Sequence, residues 1–419
     1  IEGTESVRCS IWGAVYHLTE KEKSRERWKR ESLGEPSAPE ALILVRPKTE
    51  DLGKRISVLA GRGALHSVWR PVGAGYLVTV TLMNQSVAEE GRPEPDDCLF
   101  QSGFSCAADG GTISDYPQLT SLGHDPEEEE LALLYRGRRI FAVGHGCGAH
   151  WSGEARDLIV KTAVMPLHEA FPVTREVAGA PGDARSSSID TILSLDHLAD
   201  ERIPFKTICT ELRQFVGRYG SWIAGLEHQA RNLGVQHSAS SSRILARLRS
   251  ALVRMEAGVS HLEREPLVQR AFRLATRAMI MQMVHSGRSY GGTSRKRNEA
   301  AFVQPQYSGA AVSNLRWFPF QLAFMLLTVE SVSDASSAER DVVDLIWFPT
   351  GGGKTEAYRW VAALEMILRR LRHGDEGAGT AVIKRYTLRL LTSQQFQRAA
   401  SLICACERLR TTEKDLGME

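Results

Sequence analysis

The stretch Asp341-Val-Val-Asp-Leu-Ile-Trp-Phe348-Pro-Thr-Gly-Gly-Gly-Lys354-Thr355 decides how the chain is interpreted. Its first eight residues form a short apolar run bounded by turn residues, which is typical of a buried parallel strand. The glycine-rich part predicts a tight loop. Residues Glu356 to Leu371 follow with an apolar stripe at helical spacing, which predicts a helix. Strand, loop and helix in this order predict a phosphate-binding loop.

Each residue type in this loop has a chemical reason to be there. Gly351, Gly352 and Gly353 allow backbone amides to close around phosphate oxygens, and Thr350 begins that cradle. The Lys354 ammonium suits the β- and γ-phosphates, and the Thr355 hydroxyl suits Mg²⁺. The helix dipole that begins at Glu356 adds to the attraction for an anion. The pattern therefore predicts ATP and Mg²⁺ as cofactors, with Lys354 and Thr355 as catalytic residues and Thr355 as the metal ligand.

The loop departs from the general pattern at one position. Phe348 stands where G-x-x-x-x-G-K-T requires glycine, whereas helicases of the second superfamily commonly lack that glycine. A chance glycine-rich turn before a helix is the alternative interpretation.

The segment Arg316-Trp-Phe-Pro-Phe-Gln-Leu-Ala-Phe324 resembles the helicase Q-motif. In that interpretation Gln321 hydrogen-bonds the adenine edge, and Phe318, Trp317 or Phe320 helps to form the base pocket. The alternative is a helix start whose aromatic residues belong to the core.

Downstream of the loop, Thr380 to Tyr386 predicts a second strand. Helicases carry after this strand a Thr/Arg element, motif Ia, that holds the DNA backbone. Hydroxyl and guanidinium groups suit phosphate oxygens. The predicted DNA contacts are Arg385, Thr387, Arg389 and Gln394.

The pattern changes along the chain and predicts several domains. We expect a β-rich domain over 1–177, with strands at Tyr76–Leu82, Cys98–Phe104 and Arg139–Val143 and an acidic loop at Asp125–Glu130. A Gly/Ser-rich linker is expected over 178–204, and a helical basic domain over 205–300. Residues 301–419 are expected to form part of a RecA-like lobe. The fold class is thus α/β with additional β-rich and α-helical domains.

The net charge of +2 conceals an uneven distribution. Residues 1–200 hold 21 Lys and Arg against 30 Asp and Glu, whereas residues 201–300 hold 17 against 7. Such a basic block suits a polyanion such as DNA, although a solvated helical face with arginines on the outside explains it as well. With no apolar run of 18 residues and seven scattered cysteines, we expect a cytoplasmic protein without membrane contact. The glycines around His145, Cys147 and His150 predict a tight turn there rather than a zinc site.

The segments Trp347–Tyr358, Arg385–Thr392 and Gln394–Phe396 resemble the DrmA family, the helicase-like subunits of the DISARM anti-phage system. Residues Tyr135-Arg136, Ala142–Cys147 and Ala271–Met279 are also similar, so the resemblance covers about 130–419. It implies ATP-dependent action on DNA, a DrmB-like partner subunit and a role in restricting phage DNA.

Two further functions remain open at this stage. One is a non-catalytic DNA-binding scaffold that the nucleotide switches, and the other is a different large defence helicase, similar to that of Druantia. No Asp-Glu box follows the predicted motif Ia. We therefore expect an amino-terminal fragment that binds nucleotide but hydrolyses little of it alone.

Overall fold

The computed structural model describes residues 1–22, 25–48, 55–86, 94–117, 125–167, 169, 173–174, 185–287, 305–348, 352–385 and 391–417. The chain divides into two compact units, Ile1–Glu169 and Ala170–Glu419. Each unit is described separately. None of the helices in these ranges is long and apolar enough to cross a membrane.

The first unit is built from antiparallel strands. Its larger sheet has the order β2-β1-β7-β9-β8, with β3 also paired to β1, and its smaller sheet has the order β4-β5-β6. The strands are β1 Ser6–Glu22, β2 Arg25–Gly34, β3 Glu40–Val45, β4 Ile56–Val58, β5 Gly63–Val72, β6 Gly75–Asn84, β7 Phe100–Ala108, β8 Gly148–Ser152 and β9 Ile159–Ala163.

Alternation along β1 explains where the core of this unit lies. Val7, Cys9 and Ile11 are buried on one face of β1, as expected for successive even-spaced positions of a strand. They pack with Leu59, in the turn between β4 and β5, and with Leu65 of β5 in the smaller sheet. One apolar core therefore joins both sheets of the unit.

The strand predictions in this unit have mixed outcomes. Strands are confirmed at Tyr76–Leu82 and, beginning two residues later and ending four residues later than predicted, at Cys98–Phe104. The strand predicted at Arg139–Val143 is wrong, because among the described residues this segment shows a bond from Tyr116 N–H to the Ile140 carbonyl and no ladder. The acidic loop is also wrong. Asp125 caps helix α1 (Pro126–Leu134) by accepting from Glu127 N–H, and the carboxylates that follow suit a helix N-terminus.

The second unit is helical in its described part. Its helices are α2 Arg185–Ile192, α3 Leu195–Ala199, α4 Phe205–Ala230, α5 Ser238–Arg264, α6 Pro266–Gly287, α7 Pro319–Ser333, α8 Lys354–His373 and α9 Leu391–Arg410. The helices predicted from 205 onward and after the glycine-rich loop are confirmed. The linker predicted over 178–204 is wrong from residue 185, because Ile192, Leu195 and Leu198 are buried and hold α2 and α3 in the core.

A single apolar core connects the helices of this unit. Helix α6 contributes Phe272, whose ring packs edge-on against Trp360 of α8 with 5.1 Å between centroids. Trp360 Nε1 donates to the Thr276 hydroxyl at 3.1 Å, which satisfies a buried donor. Helix α5 approaches α7 closely at Gly258. The boundary predicted near residue 300 lies outside the described residues.

The two strands predicted beside the glycine-rich loop are not formed. Residues 342–348 and 380–385 are extended without ladder pairing, and residue 386 lies outside the described residues. In the first segment, Asp344 is anchored by Arg254 of α5, with Nη–Oδ distances of 2.6 and 2.9 Å. Val343, Leu345 and Trp347 point away and are more than four-fifths exposed. A strand requires a neighbour to complete its hydrogen bonds, and the described residues place none beside these segments.

Candidate phosphate-loop site

The site begins where the glycine-rich loop becomes helix α8. Gly353 is the residue that precedes the helix, and its φ of +87° lies in the left-handed region that favours glycine. A Cβ at this position would lie 2.9 Å from Gln321 Nε2, so the Gln321 side chain would have to shift. The first backbone N–H groups of an α-helix point out of its N-terminus, and in α8 the N–H of Glu356 bonds to the Gly353 carbonyl at 3.2 Å. The backbone therefore presents donors and a positive dipole end together.

The predicted catalytic residues occupy the first turn of α8. Lys354 Nζ donates to the carbonyl of Phe348, across the loop. Thr355 is half-buried beside it. Gly352 is described, whereas Thr350 and Gly351 lie outside the described residues. The structure thus places Gly352 to Thr355 at one helix start, and their role in phosphate binding stays a prediction.

Gln321 reaches this helix start from α7. Its Oε1 accepts from Phe318 N–H at 2.8 Å, and its Nε2 donates to the Gly353 carbonyl at 2.7 Å. The residue is 3% exposed. Its predicted role as an adenine reader stays a prediction, but the geometry gives its amide two backbone partners.

Aromatic rings border the same helix start. Phe320 stacks on Phe348 with centroids 4.0 Å apart, and Phe318 lies 6.1 Å from Phe320. Phe318 and Phe320 are half-buried, so they remain candidates for a base pocket. Trp317 is fully buried in the core, and this excludes it from that role. Phe348, which replaces a glycine of the general pattern, therefore joins an aromatic stack.

A partly buried ionic cluster lies in the first turns of α8, and it was not predicted from the sequence. Glu356 accepts from Arg359 on its own helix at 3.2 Å and from Arg398 of α9. Arg359, which is fully buried, also donates to Gln395 Oε1 at 2.8 Å. The pKa of Lys384 is lowered, first by burial and then by the charge of Arg359. Glu356, predicted as a nucleotide-binding residue, is thus held by guanidinium groups that tie α8 to α9.

The predicted DNA contacts are only partly described. Arg385 is exposed at the end of the second extended segment, and Gln394 is exposed in the first turn of α9. Thr387 and Arg389 lie outside the described residues. Exposed polar side chains of this kind can contact phosphate oxygens.

Fewer of the basic side chains in residues 201–300 are available to bind a polyanion than the charge count indicates. The expectation of arginines on the outer faces is wrong for four of them. Arg254 binds Asp344 and Glu339, and Arg273 is buried against the carbonyls of Asp200 and Ile203. Arg270 and Arg277 pair with Glu201 and Glu413, and Arg270 also with Asp415. Internal ion pairs for Arg254, Arg270 and Arg277, and backbone carbonyls for Arg273, rather than a polyanion surface, account for these four charges.

The structure also describes the segment from His145 to Cys147, for which a zinc site is the rival interpretation. Gly146 has a φ of +73°, in agreement with a tight turn between His145 and Cys147. In the part of the chain that the structure describes, no group of three or more His, Cys, Asp and Glu side chains is placed to hold a metal ion.

Comparison with known proteins provides a relative for much of the chain. No protein-family model matches it. The chain is 31% identical over 293 residues to the DISARM protein DrmA of Bacillus paralicheniformis. The aligned region covers 68% of this chain and 25% of that protein. The chain therefore matches that relative over a quarter of the relative's length.

Proposed function

Because the chain is a DrmA-like protein, we propose that it serves as a DNA-directed, ATP-dependent helicase or translocase subunit in anti-phage defence. The observation that carries this proposal is the start of α8. There a left-handed Gly353, the Lys354 ammonium and the Thr355 hydroxyl meet at a helix N-terminus. This combination suits a nucleoside triphosphate with its Mg²⁺ ion.

The residues of this chain divide the binding task between them. Gly352, Gly353 and the first amides of α8 hold phosphate oxygens, and Thr350 and Gly351 complete the loop. When nucleotide binds, the Lys354 ammonium leaves the Phe348 carbonyl and contacts a phosphate oxygen instead. The Thr355 hydroxyl is the proposed ligand for Mg²⁺. When bound, the nucleotide supplies the free energy of hydrolysis that a motor needs.

The extended segments beside the loop support a RecA-like lobe. Val343, Leu345 and Trp347 alternate along 342–348, and all are exposed. Ile383, in the second segment, is 83% exposed. A nearly continuous apolar run such as 342–348, which only Asp344 interrupts, is typical of a strand in a parallel sheet that is covered on both faces. We therefore propose that both segments become parallel strands of such a lobe.

Single-stranded or duplex DNA is the proposed polyanion. Arg385 and Gln394 are exposed, and we propose that they hold the DNA backbone together with Thr387 and Arg389. A DrmB-like partner subunit and a cytoplasmic location belong to the same proposal.

Nucleotide binding and DNA-stimulated hydrolysis by wild-type protein and Lys354→Ala test the proposal. We expect Lys354→Ala to weaken ATP binding at least about tenfold, because a charge-assisted contact to phosphate is lost. Lys206→Ala, at an exposed lysine of α4, is the matched control and should leave binding unchanged. Equal ATP binding by wild type and Lys354→Ala would refute the site.

A salt titration of DNA binding tests the polyanion. Arg385→Ala should lower the slope of log affinity against log salt by about 0.7 to 0.9, the release from one phosphate contact. Arg202→Ala, an arginine whose side chain is 90% exposed, should not change it. ATP binding that alters DNA affinity without any hydrolysis would favour the scaffold function over the motor.

A further inference from the structure

The amide of Gln321 is engaged on both sides by backbone groups. It accepts from Phe318 N–H at 2.8 Å and donates to the Gly353 carbonyl at 2.7 Å. A glutamine amide has two donor hydrogens and one acceptor oxygen, so each end of this side chain already has a partner. Because Gln321 is 3% exposed, it presents almost nothing to a ligand that arrives from solvent.

The two contacts fix the starts of two helices at once. Phe318 is the residue before α7, and Gly353 is the residue before α8. The Gly353 carbonyl also accepts from Glu356 N–H at 3.2 Å, within the first turn of α8. The orientation of the Gly353 peptide therefore sets the direction of the amides that face a phosphate. Gln321 holds that peptide from outside the loop.

A base-reading role would require a different geometry. To reach an adenine edge, the Gln321 amide would have to leave the Phe318 N–H and the Gly353 carbonyl. The Gly353 carbonyl would keep only its 3.2 Å bond from Glu356 N–H, and the Phe318 N–H would lose its bond to Gln321 Oε1 at a half-buried site. Unsatisfied buried polar groups are costly, so this exchange is unfavourable. The observed geometry needs no such exchange when the triphosphate alone is recognised.

We propose that Gln321 is a positioning residue for the phosphate loop, and that this site binds purine nucleotides through their triphosphate without Gln321 selecting adenine. The inference rests on the proposed function, because it needs the loop to bind nucleotide. Base selection arises when a site hydrogen-bonds a group that the competing ligand lacks. With the amide committed to the backbone, ATP and GTP bind with affinities within about threefold of each other.

Binding of three probes to the chain distinguishes the two roles. ATP, GTP and inorganic tripolyphosphate are titrated, each with Mg²⁺, against wild-type protein and Gln321→Ala. The positioning role predicts that the variant loses affinity for all three probes by the same factor, about tenfold. A wild-type preference for ATP over GTP above tenfold that Gln321→Ala abolishes would overturn the inference.

A second variant and a structural readout separate positioning from a general loss of folding. Gly353→Ala places a Cβ 2.9 Å from Gln321 Nε2 and disfavours the left-handed φ, so it should cause the same uniform loss. Hydrogen exchange should rise in the first turn of α8 in both variants and stay unchanged in α4. Gln229→Ala, at an exposed glutamine of α4, should alter neither binding nor exchange.

The same measurements distinguish a failure of the proposed function from a failure of this inference. If wild-type protein binds none of the three probes, the phosphate site itself is refuted, and the inference falls with it. If wild-type protein binds all three while Gln321→Ala leaves both the affinities and the exchange of α8 unchanged, only the inference is refuted.

Discussion

Helix α6 and the extended segment 342–348 are both rich in apolar residues, but they differ in how completely their groups find partners. Helix α6 buries Phe272, Ala275 and Met279, and its Arg270 and Arg277 pair with carboxylates elsewhere in the unit. The extended segment is anchored through Asp344 and exposes the side chains on either side of it. A helix satisfies its backbone internally and needs one packed face, whereas an extended segment needs a neighbouring strand. The contrast locates the part of this unit whose stability depends on additional pairing.

The largest effect is expected at the contact between α6 and α8. Trp360→Ala removes a fully buried ring that packs on Phe272 and donates to Thr276. We expect the free energy of unfolding to fall by about 3 to 5 kcal/mol, from lost burial and a cavity. Urea unfolding followed by circular dichroism measures it. Trp222→Ala, at a half-exposed tryptophan of α4, is the control, and similar losses in both variants would contradict the packing described.

The next effect is expected where α5 meets α7. Gly258→Ala introduces a methyl group that collides with the carbonyl of Leu326, so the helices must separate. We expect a loss of about 1 to 3 kcal/mol in the free energy of unfolding. Gly225→Ala in α4 is matched to it, because its new Cβ meets nothing within 4 Å. That control should gain about 0.5 to 1 kcal/mol from helix propensity, and opposite signs in the two variants identify the close approach.

The ion pairs of α6 should contribute less to the free energy of unfolding, and their contribution should depend on pH. The hydrogen bond from Arg270 lowers the pKa of Asp415. A lowered folded-state pKa stabilises the protein above the unfolded-state value of about 3.9, and that stabilisation disappears as pH falls through the folded-state pKa. Arg270→Ala should therefore reduce the free energy of unfolding by about 1 kcal/mol at pH 7, a value kept small because Asp415 is partly exposed to screening solvent.

The same measurement at low pH provides the control for that ion pair. As pH falls through the folded-state pKa of Asp415, the difference between wild type and Arg270→Ala should shrink, because Asp415 becomes protonated in both. Arg231→Ala, at an exposed arginine that follows α4, should show little difference at either pH. A gap between wild type and Arg270→Ala that grows towards low pH would contradict the assigned cause.

The contrast between helix and extended segment also explains what the sequence could predict. Apolar spacing is sufficient for a helix such as α8, because its hydrogen bonds lie within the same twenty residues. The strand pattern at 342–348 is equally clear, yet its realisation depends on neighbours that local spacing does not specify. The triple glycine predicts the left-handed helix start at Gly353, because only backbone conformation is required there.

Other parts of the site depend on contacts between distant residues. The pairing of Glu356 with Arg398 joins positions 42 residues apart, and nothing in either local sequence indicates it. The burial of Gln321 between two backbone groups is likewise a tertiary feature. The charge count of residues 201–300 could not show which arginines are exposed, for the same reason. Arg270 and Arg277 pair with carboxylates more than 65 residues away along the chain.

The smallest effect is expected on the exposed side of segment 342–348. Leu345→Ser should change the free energy of unfolding by less than about 0.5 kcal/mol, because the leucine is 82% exposed and buries little apolar surface. Leu364→Ser, at a fully buried leucine of α8, is the control and should cost several kcal/mol. Hydrogen exchange of amides 343–347 should be fast in the wild-type chain. A loss above about 1 kcal/mol for Leu345→Ser, together with slow exchange, would mean that this segment is already paired, and the comparison with α6 would then no longer hold.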